Sequence, residues 1–280
     1  MLKKELYDRT WFFDLEWVPD AAGAKRLFDL PDETTELAAM EELWTDAGGT
    51  AEKPRPFVKY LFSRVVSIAF LSRNVAFNDG ERTIDFKLHS LPRLPLDGVE
   101  SVEASIIEQF LYYIGERKPQ LVGYNSAESD IQVLIQRGLV NEVTAPMFCT
   151  RPGKKWEGDD YFERWDNEWH LDLIKLFSSG KMKPRLNDLA RLCGFPGKID
   201  VAGDQVVDLW LNGDLTKIVE YNQLDTLNTY LIWLRVVHFC GKMNDEDYAF
   251  ELDEFRSYLE VEADTPHMPH VAKFLDRWEL

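Results

Sequence analysis

An apolar run near the start of the chain, Thr10-Trp-Phe-Phe-Asp-Leu-Glu-Trp-Val-Pro19, constrains the fold more than any other segment. Rich in aromatic side chains and stopped by proline, it reads as a short buried strand. Two acids interrupt it. Side chains two apart on a strand share a face, so Asp14 and Glu16 point together in a segment that Trp11, Phe12, Phe13 and Val18 mark as core. Paired carboxylates removed from water lose hydration and repel one another unless a cation compensates them. The fold must bring either solvent or a metal ion to this strand.

The rest of the chain supplies the sheet around it. From Asp20 to about Pro56 the sequence turns acidic and alanine-rich, with helix-like stretches around Thr35 to Trp44, and reads as an insertion that leaves the sheet. Val58 to Ser72 and Arg82 to Leu91 are further strands joined across the turn signal Asn78-Asp-Gly80, which makes the first three strands an antiparallel meander. Glu100 to Arg117 has helical spacing and stops at Pro119. Gln120 to Asn125 is a compact strand, Ser126 to Leu139 a helix, and Trp169 to Ile174 a fifth strand after a loop from about Pro146 to Glu168. Helices follow over Leu186 to Cys193, Val206 to Asn212 and about Asp214 to Cys240. This order predicts an α/β fold: a mixed five-stranded sheet, three antiparallel strands then parallel ones, flanked by helices. The expected organisation is one domain over 1–280, with an insertion at about 20–56 and a helical C-terminal extension at about 241–280. Phe250, Leu252, Phe255, Tyr258 and Leu259 recur at helical spacing and pack that extension onto the domain.

The chain holds 49 Asp plus Glu against 32 Lys plus Arg, a net charge of −17. That excludes a protein gripping nucleic acid over its whole surface. Phosphate contact would be confined to gatherings such as Arg151-Pro-Gly-Lys154-Lys155 and Lys181-Met-Lys183-Pro-Arg185, each of which reads equally well as a solvated loop. No charge-free run is long enough to cross a bilayer, and the first ten residues lack the apolar core of a signal peptide. A soluble cytoplasmic protein without membrane association is expected. Cys149, Cys193 and Cys240 have neither metal nor disulfide spacing and are expected as buried free thiols.

Further acids fall where chemistry could use them. Asn125 and Asp130 bracket the junction of the fourth strand and its helix, where open α/β sheets place their sites; alone, Asp130 would serve equally as a first-turn acid on the helix dipole. Tyr221-Asn-Gln-Leu-Asp225 lies within the long helix, so the phenol and the carboxylate share a face. Phosphodiester hydrolysis uses two cations about 3.5–4 Å apart, and Mg or Mn require hard oxygen ligands of this kind.

Taken in order, Asp14-Leu-Glu16, Gly123-Tyr-Asn125-Ser-Ala-Glu-Ser-Asp130 and Tyr221-Asn-Gln-Leu-Asp225 resemble the three exonuclease motifs of the DEDD superfamily, tyrosine subclass. They are most similar to those of the proofreading domain of family-B DNA polymerases and of stand-alone 3'-to-5' exonucleases related to it. The similarity spans roughly Trp11 to Leu234, with Trp169-His-Leu-Asp172-Leu in support. It implies a ribonuclease H-like fold and release of nucleoside 5'-monophosphates from a 3' end by two divalent cations, Mg or Mn. Carried over residue by residue, Asp14 bridges both cations, Glu16 and Asp225 complete the site of the nucleophile-activating one, Asp130 holds the second directly or through water, and Tyr221 orients the attacking water. Glu220 stands where the sister subclass has a histidine. Leu15, Trp17, Tyr124 and Asn125 would border the substrate end, with single-stranded DNA favoured over RNA.

The sequence departs from the family pattern at three points. Ser129 replaces an aromatic residue, whose role is then either absent or supplied by Tyr124; Trp17 replaces a small one; and the insertion has no counterpart. His170 is read as structural, Asp172 as support for the site, and His267 and His270 as a polar loop. The competing expectation is a catalytically silent nuclease-like domain, an acidic module that binds a protein partner through its insertion or extension. A glycosidase needs two acids and would leave the others unexplained.

Overall fold

In the computed structural model, which describes residues 2, 6–96, 102–154, 157–163, 167–177, 182–199 and 203–278, the apolar run is β1 (Arg9–Pro19), the middle strand of five. The others are β2 (Ser63–Asn78), β3 (Glu81–Leu91), β4 (Gln120–Gly123) and β5 (His170–Asp172), in the spatial order β3-β2-β1-β4-β5. β1 and β3 run antiparallel to β2, whereas β4 is parallel to β1 and β5 to β4. Asp79 (φ 53°) and Gly80 (φ 88°) close the β2–β3 hairpin; positive φ at both central positions is what a two-residue turn matching the sheet twist requires. The ladder runs up to that turn, pairing Asn78 with Glu81, so β2 is displaced along the chain from the expected Val58 to Ser72. Its early residues instead form a 3-10 turn, Tyr60–Phe62, whose Phe62 carbonyl accepts the Asp20 N–H at 2.7 Å.

The helices are α1 (Ala21–Leu27) and α2 (Glu36–Asp46) in the insertion, α3 (Glu103–Arg117), α4 (Asp130–Val140), α5 (Pro146–Cys149), α6 (Ile174–Phe177), α7 (Leu186–Leu192), α8 (Val206–Leu211), α9 (Leu215–Phe239), α10 (Asp245–Ala263) and α11 (Pro269–Asp276). The expected start of α3 at Glu100 lies outside the described residues. α4 begins at Asp130 rather than Ser126, because Asn125 adopts a left-handed backbone (φ 64°) and the loop after it is pinned to β5. No described helix is long and apolar enough to cross a membrane.

Strand alternation divides β1 between two cores. Trp11, Phe13 and Leu15 meet Ile107, Phe110 and Leu134 of α3 and α4, while Phe12 meets Tyr230 and Trp233 of α9 with ring centroids 5.0 Å apart. The insertion does leave the sheet, yet it docks: Met40, Leu43 and Trp44 of α2 form a third cluster with Val18, Val66, Ile218 and Tyr221. In the extension Phe255 and Leu259 are buried against α9, and Phe250 is exposed.

Two expectations fail. Cys149 is exposed, because Phe148 takes the inward face of the single turn α5, and Cys193 and Cys240, which cap the C-termini of α7 and α9, are only half-buried. His267 sits in an exposed turn, but His270 is buried: Pro269 starts α11 and turns the imidazole onto α9, where Nε2 lies 2.7 Å from Gln223 Oε1. Burial, then Lys273, lowers its pKa to about 4.

Candidate metal centre

Asp14 and Glu16 leave β1 on the side of Phe12 and face α9, where Tyr221 and Asp225 rise one turn apart. One oxygen each from Asp14, Glu16 and Asp225 lie within 4.8 Å of one another. The β1–β2 register shifts immediately after Glu16, an irregularity that bends a strand and re-aims its side chains. Asp130 opens α4 outside this triplet: its Oδ1 accepts the Leu15 N–H at 3.1 Å and its Oδ2 lies 2.5 Å from Ser129 Oγ. Even so, it is the carboxylate that acts most strongly on Asp14.

The electrostatics match the crowding. Burial first, then Asp130, Glu16 and Asp225, hold Asp14 well above the ordinary carboxylate range; burial and Asp225 do the same for Glu16. Burial raises Asp225, and it raises Asp130 to about 6 against the hydrogen bonds from Ser129 and Leu15. Lys198 answers part of this charge, with Nζ 3.2 Å from Asp225 Oδ2, hydrogen-bonded to the Tyr221 hydroxyl and 4.6 Å from its ring centroid. Asp225 Oδ1 is buried with no hydrogen-bond partner. Converging hard oxygens, a buried carboxylate oxygen without a partner on one of the same residues, and a surplus of negative charge fit a divalent cation.

Several residues hold the acids in place. Asn222 Nδ2 donates to Asp14 Oδ2 at 2.8 Å, and Ser67 Oγ donates to Asn222 Oδ1 at 2.8 Å. Asp172 accepts N–H groups from Asn125 (2.7 Å), Ala127 (3.2 Å) and Ile174 (3.2 Å), fixing the loop that delivers Asp130. His170 Nε2 lies 2.8 Å from Ser126 Oγ, and burial lowers its pKa to about 3, so it is a neutral structural group. Glu220 turns away, its Oε1 3.8 Å from His270 Nδ1.

The other candidates are spread around this core. Asn125 Oδ1 accepts from Lys183 Nζ at 3.0 Å, and Lys183 also pairs with Glu128 at 2.6 Å. The Tyr124 hydroxyl donates to the Pro184 carbonyl at 2.8 Å and its ring lies with its centroid 6.4 Å from that of Phe177. The Leu15 side chain is buried on the opposite face of β1, leaving its backbone to the site. Trp17 meets Tyr60 edge-on at 6.2 Å. Of the basic gatherings, Arg151 is paired with Asp160 at 2.8 Å and Lys154 with Glu157 at 3.4 Å; Lys155 and Lys181 lie outside the described residues.

Lys198, Asn222, Ser67 and Tyr60 escaped the sequence reading. Asn222 sits inside the third motif, and its amide is a signal that could have been weighed; Lys198 lies in a loop with no periodicity to flag it.

Residues 55–278 match the model of a family described as a predicted 3'-5' exonuclease related to the exonuclease domain of PolB. The chain belongs to this exonuclease family. A comparison with curated proteins found no match. The matched span carries Asp130, Lys198, Tyr221 and Asp225 and runs on through α10 and α11, well past the expected end of the similarity at Leu234. It begins after β1, so Asp14 and Glu16 join the exonuclease segment through geometry. The mixed sheet flanked by helices is the ribonuclease H-like arrangement such a domain calls for.

Proposed function

We propose that this chain is a metal-dependent 3'-5' exonuclease of the DEDD tyrosine subclass. The observation that carries the reading is the convergence of Asp14, Glu16 and Asp225, together with a buried Asp225 oxygen that has no hydrogen-bond partner. In this reading Asp14, Glu16 and Asp225 would hold one divalent cation and Asp130, with Asp14, would help to hold a second, Mg or Mn. Such a pair activates a water and neutralises charge on the phosphate.

The chain's own residues position the reactants. Tyr221, its ring locked in the cluster formed with the insertion, directs its hydroxyl toward Asp225 and orients the attacking water. Burial, then Asp225, Glu16 and Asp14, push its pKa up, so it remains a phenol and acts by hydrogen bonding. Lys198 offsets charge at Asp225. Asn125 and Lys183 border the terminal nucleotide.

Trp17, Tyr60 and Phe57 form a chain of aromatic contacts, with centroids 6.2 and 5.2 Å apart, that ends at a solvent-exposed Phe57. Asp130 adds to the burial that raises the Tyr60 hydroxyl, so the middle ring of this chain lies within electrostatic reach of that acid. Aromatic steps of this kind stack unpaired bases, which supports a single-stranded substrate; DNA before RNA, and nucleoside 5'-monophosphates as products, are carried by the family resemblance. Residues 1–280 act as one exonuclease domain in this reading. A silent interaction module would present its insertion and extension to a partner, but apolar faces of both are engaged inside the fold.

The test is digestion of 5'-labelled single-stranded DNA and RNA with Mg, Mn or a chelator. A ladder shortening from the 3' end, absent with chelator and in folded Asp14→Ala and Asp225→Ala variants, is expected. If the wild type shows no metal-stimulated shortening, the silent module takes its place.

A further inference from the structure

Away from the metal centre, a cavity of about 520 Å³ opens between β1, β2, β3 and the end of α3. It lies at the other end of β1 and on the other face: Arg9 and Trp11 belong to the odd-numbered side, Asp14 and Glu16 to the even. Arg9 and Glu16 are seven residues apart, or about 23 Å along a strand.

Its lining runs against the composition of the molecule. In a chain with a net charge of −17, Arg9, Lys87, Arg93 and Arg117 all line this hollow, and Asp85 is the sole acid among the described lining residues. Lys87 pairs with Asp85 at 3.5 Å and Arg9 Nη1 donates to the Arg117 carbonyl at 2.6 Å, yet four cations facing one acid leave the hollow net positive, which favours an anion there. One wall is aromatic: Trp11 stacks on Phe70 at 4.8 Å and Phe70 on His89 at 4.6 Å, nearly parallel. His89 itself is exposed; desolvation by the side chains packed around it, then Arg93 and Lys87, lower its pKa, so it offers a flat ring without adding to the positive charge. The volume falls within the range of roughly 300–1,000 Å³ usual for small-molecule sites.

We propose that this cavity binds a phosphate-bearing nucleotide, its phosphate against Lys87, Arg93 and Arg117 and its base along the His89–Phe70–Trp11 wall. Two sources share that chemistry, a free nucleotide and the phosphorylated end of a single strand.

The experiment is calorimetric titration of the full chain in EDTA, where no metal recruits phosphate to the acids and nothing is cleaved. The ligands are adenosine 5'-monophosphate, adenosine, inorganic phosphate and a 5'-phosphorylated single-stranded tetranucleotide. One-to-one binding of the monophosphate is expected, with adenosine and phosphate weaker by about tenfold or more. Lys87→Glu and Arg93→Glu, both at exposed positions, should each weaken the monophosphate by about tenfold with unchanged melting temperature; if one fails to fold, the other decides. A tetranucleotide that displaces the monophosphate identifies the strand end as the ligand, and one that does not identifies the free nucleotide. The proposal is overturned if neither nucleotide ligand binds, if binding survives both charge reversals, or if phosphate alone binds as tightly as the monophosphate. Because metal is absent throughout, none of these outcomes depends on the nuclease reading.

Discussion

Three acids with oxygens within 4.8 Å of one another cannot all ionise without cost when nothing accompanies them, and this gives the centre a signature in stability. Asp14, Glu16 and Asp225 titrate above their ordinary range and Asp130 near 6. A carboxyl whose folded pKa exceeds its unfolded one binds protons more tightly in the folded state. The metal-free protein therefore loses stability as pH rises from the usual carboxylate range through 6 and above. A bound cation removes the repulsion, so the rise in melting temperature on adding Mg or Mn should grow between about pH 5 and pH 8. Neutral buried His170 and His270 act in the opposite sense, but equally with and without metal, and cancel in the difference. Asp225→Asn should raise the metal-free melting temperature at high pH and abolish the metal increment. An increment independent of pH would argue against a cation at these acids. Tyr221→Phe keeps the ring that packs on the insertion and removes only the hydroxyl. Turnover should drop by about a hundredfold with KM and melting temperature nearly unchanged; a change confined to KM would assign Tyr221 to substrate binding.

At the level of elements, α9 is the spine that presents Tyr221, Asn222 and Asp225 to β1, and the C-terminal extension holds α9 there. Glu251 of α10 is fully buried and accepts both Arg73 Nε (2.6 Å) and Arg73 Nη2 (2.8 Å) from β2, together with Arg82 of β3 and the Tyr230 hydroxyl of α9. One carboxylate thus ties two strands and two helices. Glu251→Ala leaves Arg73 buried without its partner and should destabilise the protein by about 3–5 kcal/mol in urea unfolding; a cost below about 1 kcal/mol would mean the clamp is solvated. These elements were readable because β1 and α9 are long apolar runs with clear stops and β2 and β3 flank a turn signal. The start of β2 and the start of α4 were not readable, because each depends on a distant partner: Phe62 accepts a hydrogen bond from Asp20, and Asp172, 47 positions from Asn125, fixes the loop before Asp130.

Over the whole molecule, charge sets how a polyanion approaches. At about 0.01 M salt the screening length is about 30 Å and at 0.15 M about 8 Å, so an incoming strand feels much of the −17 in the first case and little in the second. Raising salt across that range should increase kcat/KM for single-stranded DNA. A steep fall, as for proteins that neutralise many phosphates, would mean that a basic surface governs capture.

By itself the sequence determined direction: period two on β1 turns Asp14 and Glu16 to one side, a spacing of four on α9 turns Tyr221 and Asp225 to one side, and the order of the motifs carries the resemblance. Direction along an element is local and is written in side-chain spacing. Distance between elements is not. Only the tertiary structure brought Lys198 to Asp225 and Asn222 to Asp14, set Asp130 beside the triplet, and gathered Arg9, Lys87, Arg93 and Arg117 around a single hollow. Partners scattered along the chain meet through the crossing of strands and helices, and no short-range periodicity records that meeting.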